Sequence, residues 1–279
     1  MSLAEFVYTV LLSPPPLKKG ANWLIRRMLP ERLDYNGLTL ALNPRDPVVS
    51  GALLFRVYEN VELRTYGQLL ESGMVVVDIG ANIGLYSAIA AKRVGPSGRV
   101  IALEPDPESF SFLGKTIQYN AFQNVEPHQM AASAQGGRVP LFRNPDNRGD
   151  SRLYRDPMLK DSIDITTVAL DDLLAQKGIQ HVDVIKIDVQ GAEGLVLAGA
   201  RETLRRSPRL SLMMEFWPYG LKQTGHDAKA ILQQLHADGF TLFEMTKDLL
   251  PLPSASSWDQ LIARNSGRQY TNLLARKLA

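Results

Sequence analysis

The 279-residue chain has no cysteine. A disulfide framework, a thiolate metal site and a cysteine nucleophile are therefore excluded, which fits a reducing compartment. No charge of one sign dominates either: 31 Lys and Arg stand against 29 Asp and Glu, for a net +2. That balance provides neither the basic field of a nucleic-acid binder nor an acidic tail, so no nucleic-acid partner is expected. Long apolar runs are also missing. The stretch from Phe6 to Leu12 is far too short to span a membrane and lacks the leading positive charges of a signal peptide. A cytoplasmic protein with no stable membrane insertion is expected. Trp23, Leu24 and Ile25 beside Arg26 and Arg27 have the makings of a small amphipathic element at a membrane surface. A helix packed on the domain is the commoner outcome for such a segment and is expected here.

What the chain does have is enough apolar residue, 45%, to bury one sizeable core, and one large domain with additions is expected. Residues 1–57 form an N-terminal appendage of helix and short strands. Within it, Leu38 to Val57 alternates and is punctuated by Asn36-Gly37, Asn43-Pro44 and Asp46-Pro47, which suggests strands and turns. Residues 58–279 change to short apolar runs alternating with helical periods, the mark of βαβ units and a parallel sheet. The runs are Val75 to Ile79, Val100 to Leu103, Val182 to Ile187, Leu210 to Met214 and Phe240 to Phe243. Helices are predicted over Leu85 to Val94, Glu108 to Tyr119, Ala192 to Arg205 and Asp227 to Ala237. The Pro- and Gly-rich stretch Arg138 to Thr167 interrupts this rhythm as an insertion of hairpin and loop. At the end, TNLLARKLA is a strand-like run suited to closing the sheet edge. The fold class is α/β, a doubly wound and mostly parallel sheet of Rossmann-like type.

The first strand, Val75 to Ile79, runs into Asp78-Ile79-Gly80-Ala81-Asn82-Ile83-Gly84. In open α/β sheets ligands lie beyond the carboxyl ends of the strands, and the first βα turn needs glycines so that backbone can approach the ligand. Gly80 and Gly84 suit those positions. The next strand ends on Glu104, 20 residues past Gly84, where a carboxylate can accept hydrogen bonds from ribose hydroxyls. Pro105 and Asp106 follow, placing Asp106 beside the expected adenine edge. The candidate cofactor residues are thus Asp78, Gly80, Asn82, Gly84, Glu104, Pro105 and Asp106. The bland alternative is a tight βα turn with Glu104 capping the next helix. A nicotinamide dehydrogenase would show G-x-G-x-x-G where this chain has Gly80-x-Asn82-x-Gly84, and no GKS or GKT supports a phosphate loop.

Several segments in order, VVDIGANIGLYS, ALEPDP, Asn120, VDVIKIDVQGAE, VLAGA, MMEFWP and TNLLARK, resemble the FkbM family of methyltransferases from about Val57 to Lys277. The resemblance implies a class I methyltransferase fold with seven strands, S-adenosylmethionine as cofactor, and O-methylation of a saccharide, glycolipid or natural-product hydroxyl. The chain departs from the family at Gln190, where a glutamate is common, and no catalytic role is assigned there.

Candidate catalytic residues follow from the strand ends. Methyl transfer to an alcohol is an in-line displacement that needs alignment and a base for the hydroxyl proton. Asp188 is the first candidate, as base or as a positioner of the cofactor, although Lys186 and Asp188, two apart on one strand, also suit a buried structural pair. Glu193 borders the same rim. Glu215 ends the next strand and is a helper, with Trp217 and Tyr219 as stacking surfaces or ordinary packing. His226 is a second base candidate. No two of His128, His181, His226 and His236 have metal-ligand spacing, and no metal is expected, although Asp188 and Glu215 could hold magnesium. Arg143, Arg148, Arg152 and Arg155 in the insertion read as a solvated face, or as a grip for an acidic acceptor. A nucleic-acid methyltransferase is the alternative, weakened by the lack of an Asn-Pro-Pro-Tyr or Asp-Pro-Pro-Tyr motif. A non-catalytic S-adenosylmethionine-binding module is a further alternative.

Overall fold

The computed structural model describes residues 15–145 and 147–277. The apolar stretch Phe6 to Leu12 lies outside them. Helix α1 (Pro15–Met28) leads to the hairpin β1 (Arg32–Asp34) and β2 (Thr39–Ala41), then to helices α2 (Pro47–Leu54) and α3 (Asn60–Leu69). The turn signal Asp46-Pro47 proves to be a helix start, not a strand boundary. Asp46 accepts a hydrogen bond from Val49 N–H at 3.0 Å, and Pro47 occupies the first turn, where its missing N–H costs nothing. Within Leu38 to Val57, where short strands and turns are expected, Thr39–Ala41 is strand but the eight residues Pro47–Leu54 are helix.

The sheet begins with β3 (Val75–Ile79) and continues through α4 (Leu85–Val94), β4 (Arg99–Leu103), α5 (Pro107–Tyr119) and β5 (Val125–His128). The insertion follows as β6 (Ala131–Ala132), β7 (Gly137–Arg143) and β8 (Asp161–Val168), a separate three-stranded sheet whose β7–β8 loop carries a 3₁₀ turn at Arg148–Asp150. Strands β7 and β8 pair as an antiparallel hairpin across that loop. Then come α6 (Leu170–Gln176), β9 (Val184–Ile187), α7 (Glu193–Ala198), α8 (Arg201–Arg206) and β10 (Ser211–Phe216). The predicted single helix over Ala192 to Arg205 is two helices. A side chain at Gly199 would lie 2.0 Å from the Ser133 carbonyl oxygen, so the chain turns there against its neighbour instead of continuing. The rest is α9 (Pro218–Gln223), α10 (Ala228–Ala237), β11 (Thr241–Met245), β12 (Leu249–Pro251), α11 (Ala255–Arg264) and β13 (Thr271–Arg276).

The large sheet has the order β12-β11-β13-β10-β9-β3-β4-β5. The run from β10 to β5 is parallel, and β13 is antiparallel to both β10 and β11. The terminal run Thr271–Arg276 is therefore an interior strand, not an edge. Leu273, Leu274 and Ala275 are completely buried between β10 and β11, which its apolar text suits better than an edge. The seven expected strands gain an eighth, the short exposed β12. Buried strands β9 and β10 read as continuous apolar runs broken by Lys186 and Glu215. Strand order reverses between β3 and its neighbours β4 and β9, the crevice where such folds bind ligands. This is the doubly wound, mostly parallel α/β sheet of Rossmann-like type that the sequence leads one to expect.

The N-terminal segment packs directly on that crevice. Leu40, Leu42 and Leu53 share a buried cluster with Ile83 and Leu85 beside the β3–α4 turn. Asn120, at the end of α5, accepts from Thr39 N–H at 2.9 Å and donates to Thr39 O at 2.7 Å, which clamps β2 to α5.

Candidate active site

A cavity of about 450 Å³ opens over the carboxyl ends of β3, β4, β9 and β10, a size ordinary for small-molecule sites. Its walls come from α2 and the turn before α3, the insertion loop near Arg148, the strand ends, and the segment leading into β13 with Arg268, Tyr270 and Asn272.

On one side lies the loop after β3. Gly80 has φ +80, and a Cβ there would fall 1.9 Å from the Asp188 carbonyl oxygen. The sequence demanded glycine for approach of a ligand; the structure adds that the chain's own β9–α7 turn approaches as closely. Asn82, at φ +49, donates its backbone N–H to Glu104 Oε2 at 2.8 Å. The other oxygen, Oε1, accepts from Asp106 N–H at 2.9 Å. Glu104 is thereby fixed at the cavity wall with Pro105 beside it. Burial pushes its carboxyl up to about 7, against the pull of those two amides.

Not every predicted residue reaches the cavity. Asp78 lies behind it, wholly buried, accepting from Ser87 Oγ at 2.6 Å with Lys186 Nζ 3.7 Å away. Its place on β3, before the turn, aims it at α4 instead of the ligand space. Gly84, at φ +92, starts α4, and a side chain there would come within 2.8 Å of Leu113 on α5, so it serves helix packing. Asp106 is the N-cap of α5, accepting from the N–H groups of Glu108 and Ser109 at 2.9 and 3.1 Å. His226 packs against α7: a Cβ at Gly194 would sit 2.3 Å from its ring, and its Nδ1 is 3.3 Å from Thr224 Oγ1. None of these four side chains lines the cavity.

On the other side, Asp188 and Glu215 do come together. Gln190 Nε2 donates to Asp188 Oδ1 at 2.8 Å and to Glu215 Oε1 at 3.3 Å. Gln190 itself holds a left-handed conformation, φ +54. The departure at this position therefore places a neutral amide donor between two carboxylates, where a glutamate would add a third negative group. Lys186 is a hub below them. Its Nζ donates to Gly80 O at 3.2 Å, lies 3.5 Å from Asp188 Oδ2, and sits over the Tyr86 ring. Burial works against its charge, but Asp188, Asp78 and Glu59 more than offset this and hold its pKa above the ordinary lysine value.

Glu59, which carries no signal in the sequence, enters from the turn before α3. It has φ +39 and accepts from Tyr86 Oη at 2.5 Å. Burial and then Asp188 push it up to about 7. Burial, with Asp188, Glu193 and Glu59 nearby, raises Glu215 well above the usual carboxylate range. Asp188 and Glu215, the pair offered to magnesium by the sequence, thus share an amide donor, and among the described residues no three potential metal ligands converge. Trp217 borders the cavity with its indole N–H buried, whereas Tyr219 stands outside it and packs on Trp217, ring centroids 5.6 Å apart.

The insertion arginines are not a solvated face. Arg148 pairs with Glu108 at 3.2 Å and donates its backbone N–H to Asp46 at 3.1 Å, tying the loop to the cap of α2. Arg152 pairs with Asp150 and Asp156 and lies over Trp217, and Arg143 pairs with Asp161 at 2.7 Å. Of these four arginines only Arg155 is exposed.

These buried carboxyls set a stability trend. With Glu59, Glu104 and Glu193 pushed up to about 7 and Glu215 raised well above the usual carboxylate range, the folded chain holds more protons than the unfolded one between the ordinary glutamate value of 4.5 and about 7. Stability contributed in this way is present at low pH and is lost as pH rises through that window. His128, lowered by burial, opposes the trend at one site. The melting temperature of the ligand-free protein is expected to be higher at about pH 5 than at about pH 7.5. A rise across that interval would show that these carboxyls are ionised in the fold.

The cavity walls suit an adenosine-bearing cofactor. Asn82 Oδ1, Asn147 Oδ1 and Glu215 Oε2 are buried there without hydrogen-bond partners, unmet polar groups that a ligand can satisfy.

Comparison with known proteins agrees. Residues 78–242 match the family model described as the methyltransferase FkbM domain. The chain is 29% identical over 184 residues to methyltransferase sdnD of Sordaria araneosa, covering 55% of this chain and 70% of that protein. To the 2-O-methyltransferase NoeI of Sinorhizobium fredii it is 28% identical over 149 residues, 48% of this chain and 60% of that protein. To the 31-O-demethyl-FK506 methyltransferase FkbM of Streptomyces tacrolimicus it is 29% identical over 167 residues, 49% and 63% of the two. The matches thus span 60 to 70% of these relatives' lengths. The matched segment starts on β3, carries the cofactor loop, Glu104, Asp188 and Glu215, and ends on β11; the chain belongs to the FkbM family of methyltransferases, whose cofactor is S-adenosylmethionine.

Proposed function

We propose that the protein is an O-methyltransferase acting on a hydroxyl of a saccharide, glycolipid or natural-product acceptor. The observation that carries this reading is the Asp188–Gln190–Glu215 cluster beside Trp217, at one end of a cavity whose other end holds Glu104. Relatives named as 2-O- and 31-O-directed methyltransferases support it.

S-adenosylmethionine, when bound, supplies an electrophilic methyl group. Glu104 accepts the ribose hydroxyls with the lone pairs that Asn82 and Asp106 leave over. Asp188 receives the acceptor's proton at a carboxylate oxygen, oriented by Gln190 and held near Lys186. Glu215, whose protonated form burial favours, offers its Oε2 as a hydrogen-bond donor that orients the acceptor. Trp217 supplies a flat face for a sugar ring, and α2 with the insertion loop excludes water.

The test is transfer of labelled methyl from S-adenosylmethionine to a panel of glycans, glycolipids, polyketides and RNA, with the product identified by mass spectrometry. Label on an acceptor oxygen supports the proposal; label on nitrogen, carbon or RNA alone overturns it. Glu104→Ala is expected to weaken S-adenosylhomocysteine binding by about 1 to 3 kcal/mol, the scale of a lost charged hydrogen-bond partner. Unchanged affinity in calorimetry would remove Glu104 from the ribose.

A further inference from the structure

Helix α1 has two faces, and among the described residues one packs on the fold while the other is exposed. Ile25 is buried and Leu29 packs on the cluster of Leu40 and Leu53. On the outer side Trp23, Leu24 and Met28 are 56%, 52% and 57% exposed. Leu24 and Met28 are one turn apart and form a ridge next to Trp23, whose ring lies 4.2 Å below the Arg27 guanidinium. Three large apolar side chains grouped on one helix differ from scattered surface residues and mark an interaction surface.

Charge identifies what this face meets. The helix carries Lys18, Lys19, Arg26 and Arg27 and no acidic residue. Without these four, the chain's 31 basic residues fall to 27 against 29 acidic ones. The whole positive excess of a near-neutral protein is therefore concentrated on one helix that also exposes tryptophan, leucine and methionine. A basic helix with an apolar ridge and a tryptophan lies in the plane of an anionic bilayer surface, its apolar side chains at the acyl boundary and its cations among the headgroups. No described helix is long and apolar enough to cross a membrane, so the contact is interfacial. We propose that α1 docks the protein on an anionic lipid surface through Trp23, Leu24 and Met28, with Arg26 and Arg27 at the headgroups. Since α1 packs on α2, which walls the cavity, docking holds the site one helix away from the bilayer. The proposal is independent of the acceptor's identity.

The test is co-sedimentation of the full chain with vesicles of phosphatidylcholine alone and of phosphatidylcholine mixed with phosphatidylglycerol. Wild type is expected to sediment with the mixed vesicles only, and less so as salt rises. Trp23→Ser/Leu24→Ser/Met28→Ser is expected to reduce binding to background with an unchanged melting curve, since these side chains are exposed. Arg26→Gln/Arg27→Gln is expected to lower partitioning roughly thirtyfold, from about a factor of five for each charge near the surface. The proposal is overturned if wild type ignores mixed vesicles at low salt, or if the triple variant binds as well as wild type. It is equally overturned if wild type forms a dimer that the triple variant loses while neither binds lipid, because the face would then belong to a second copy. Should the triple variant fail to fold, undiminished binding by the arginine variant is the overturning result.

Discussion

Gly80→Val is expected to lose all measurable binding of S-adenosylhomocysteine and all methyl transfer, and to melt well below wild type. Two costs combine. At φ +80 a β-branched residue is strongly disfavoured, and the first side-chain carbon would fall 1.9 Å from the Asp188 carbonyl oxygen and 3.0 Å from its carbonyl carbon. Both obstacles are backbone, so no rotamer change relieves them. Either the β3–α4 turn or the β9–α7 turn must move. The first carries Asn82 and its hydrogen bond to Glu104; the second carries Asp188 and Gln190. If Gly80 served ligand approach alone, the expected result would be loss of binding with the fold intact. The contact with Asp188 changes that expectation to a stability loss of about 3 kcal/mol or more. Thermal melting and calorimetry check both parts, and wild-type affinity in a folded variant would reduce Gly80 to turn chemistry.

The same contact explains what could be read in the sequence. Strand β3 and helix α4 are legible to the residue because an apolar run meets a glycine turn and an apolar helix. Asp188 and Glu215 are legible because an acid ending an apolar strand must lie on the ligand rim. Strand β5 is missed, since Val125–His128 contains Glu126 and Pro127 at a half-exposed edge. The break at Gly199 depends on Ser133, far away in the chain. Glu59 and Arg148 reach the cavity only through tertiary packing, and no spacing rule connects them to Asp188. Asp78, Asp106 and His226 turn their side chains away from the cavity for a related reason. A motif places residues along the chain, but the direction of each side chain is set by caps and neighbours that the motif does not contain.

Asp188→Asn is expected to lower turnover by about 10² to 10⁴, the usual worth of general-base catalysis, with S-adenosylhomocysteine affinity within a few fold of wild type. The substitution keeps the shape and can keep the hydrogen bond from Gln190 by amide orientation, while removing the charge. Lys186 retains Asp78 at 3.7 Å as counter-charge, so the fold is expected to survive. Glu215→Gln is the informative companion. If Glu215 acts in its protonated form, a neutral amide that donates in its place should preserve most of the turnover that Asp188→Asn destroys. Near-wild-type turnover in Asp188→Asn across neutral pH would show that Asp188 is not the base. Its replacement would then be Glu59, which lines the cavity with its carboxyl pushed up to about 7, and not His226, which packs against α7 away from it. A collapse of cofactor affinity together with turnover would make Asp188 a cofactor ligand first. Loss of wild-type activity on adding a chelator, restored by magnesium, would recast Asp188 and Glu215 as metal ligands, and Gln190 as the residue displaced when the ion binds.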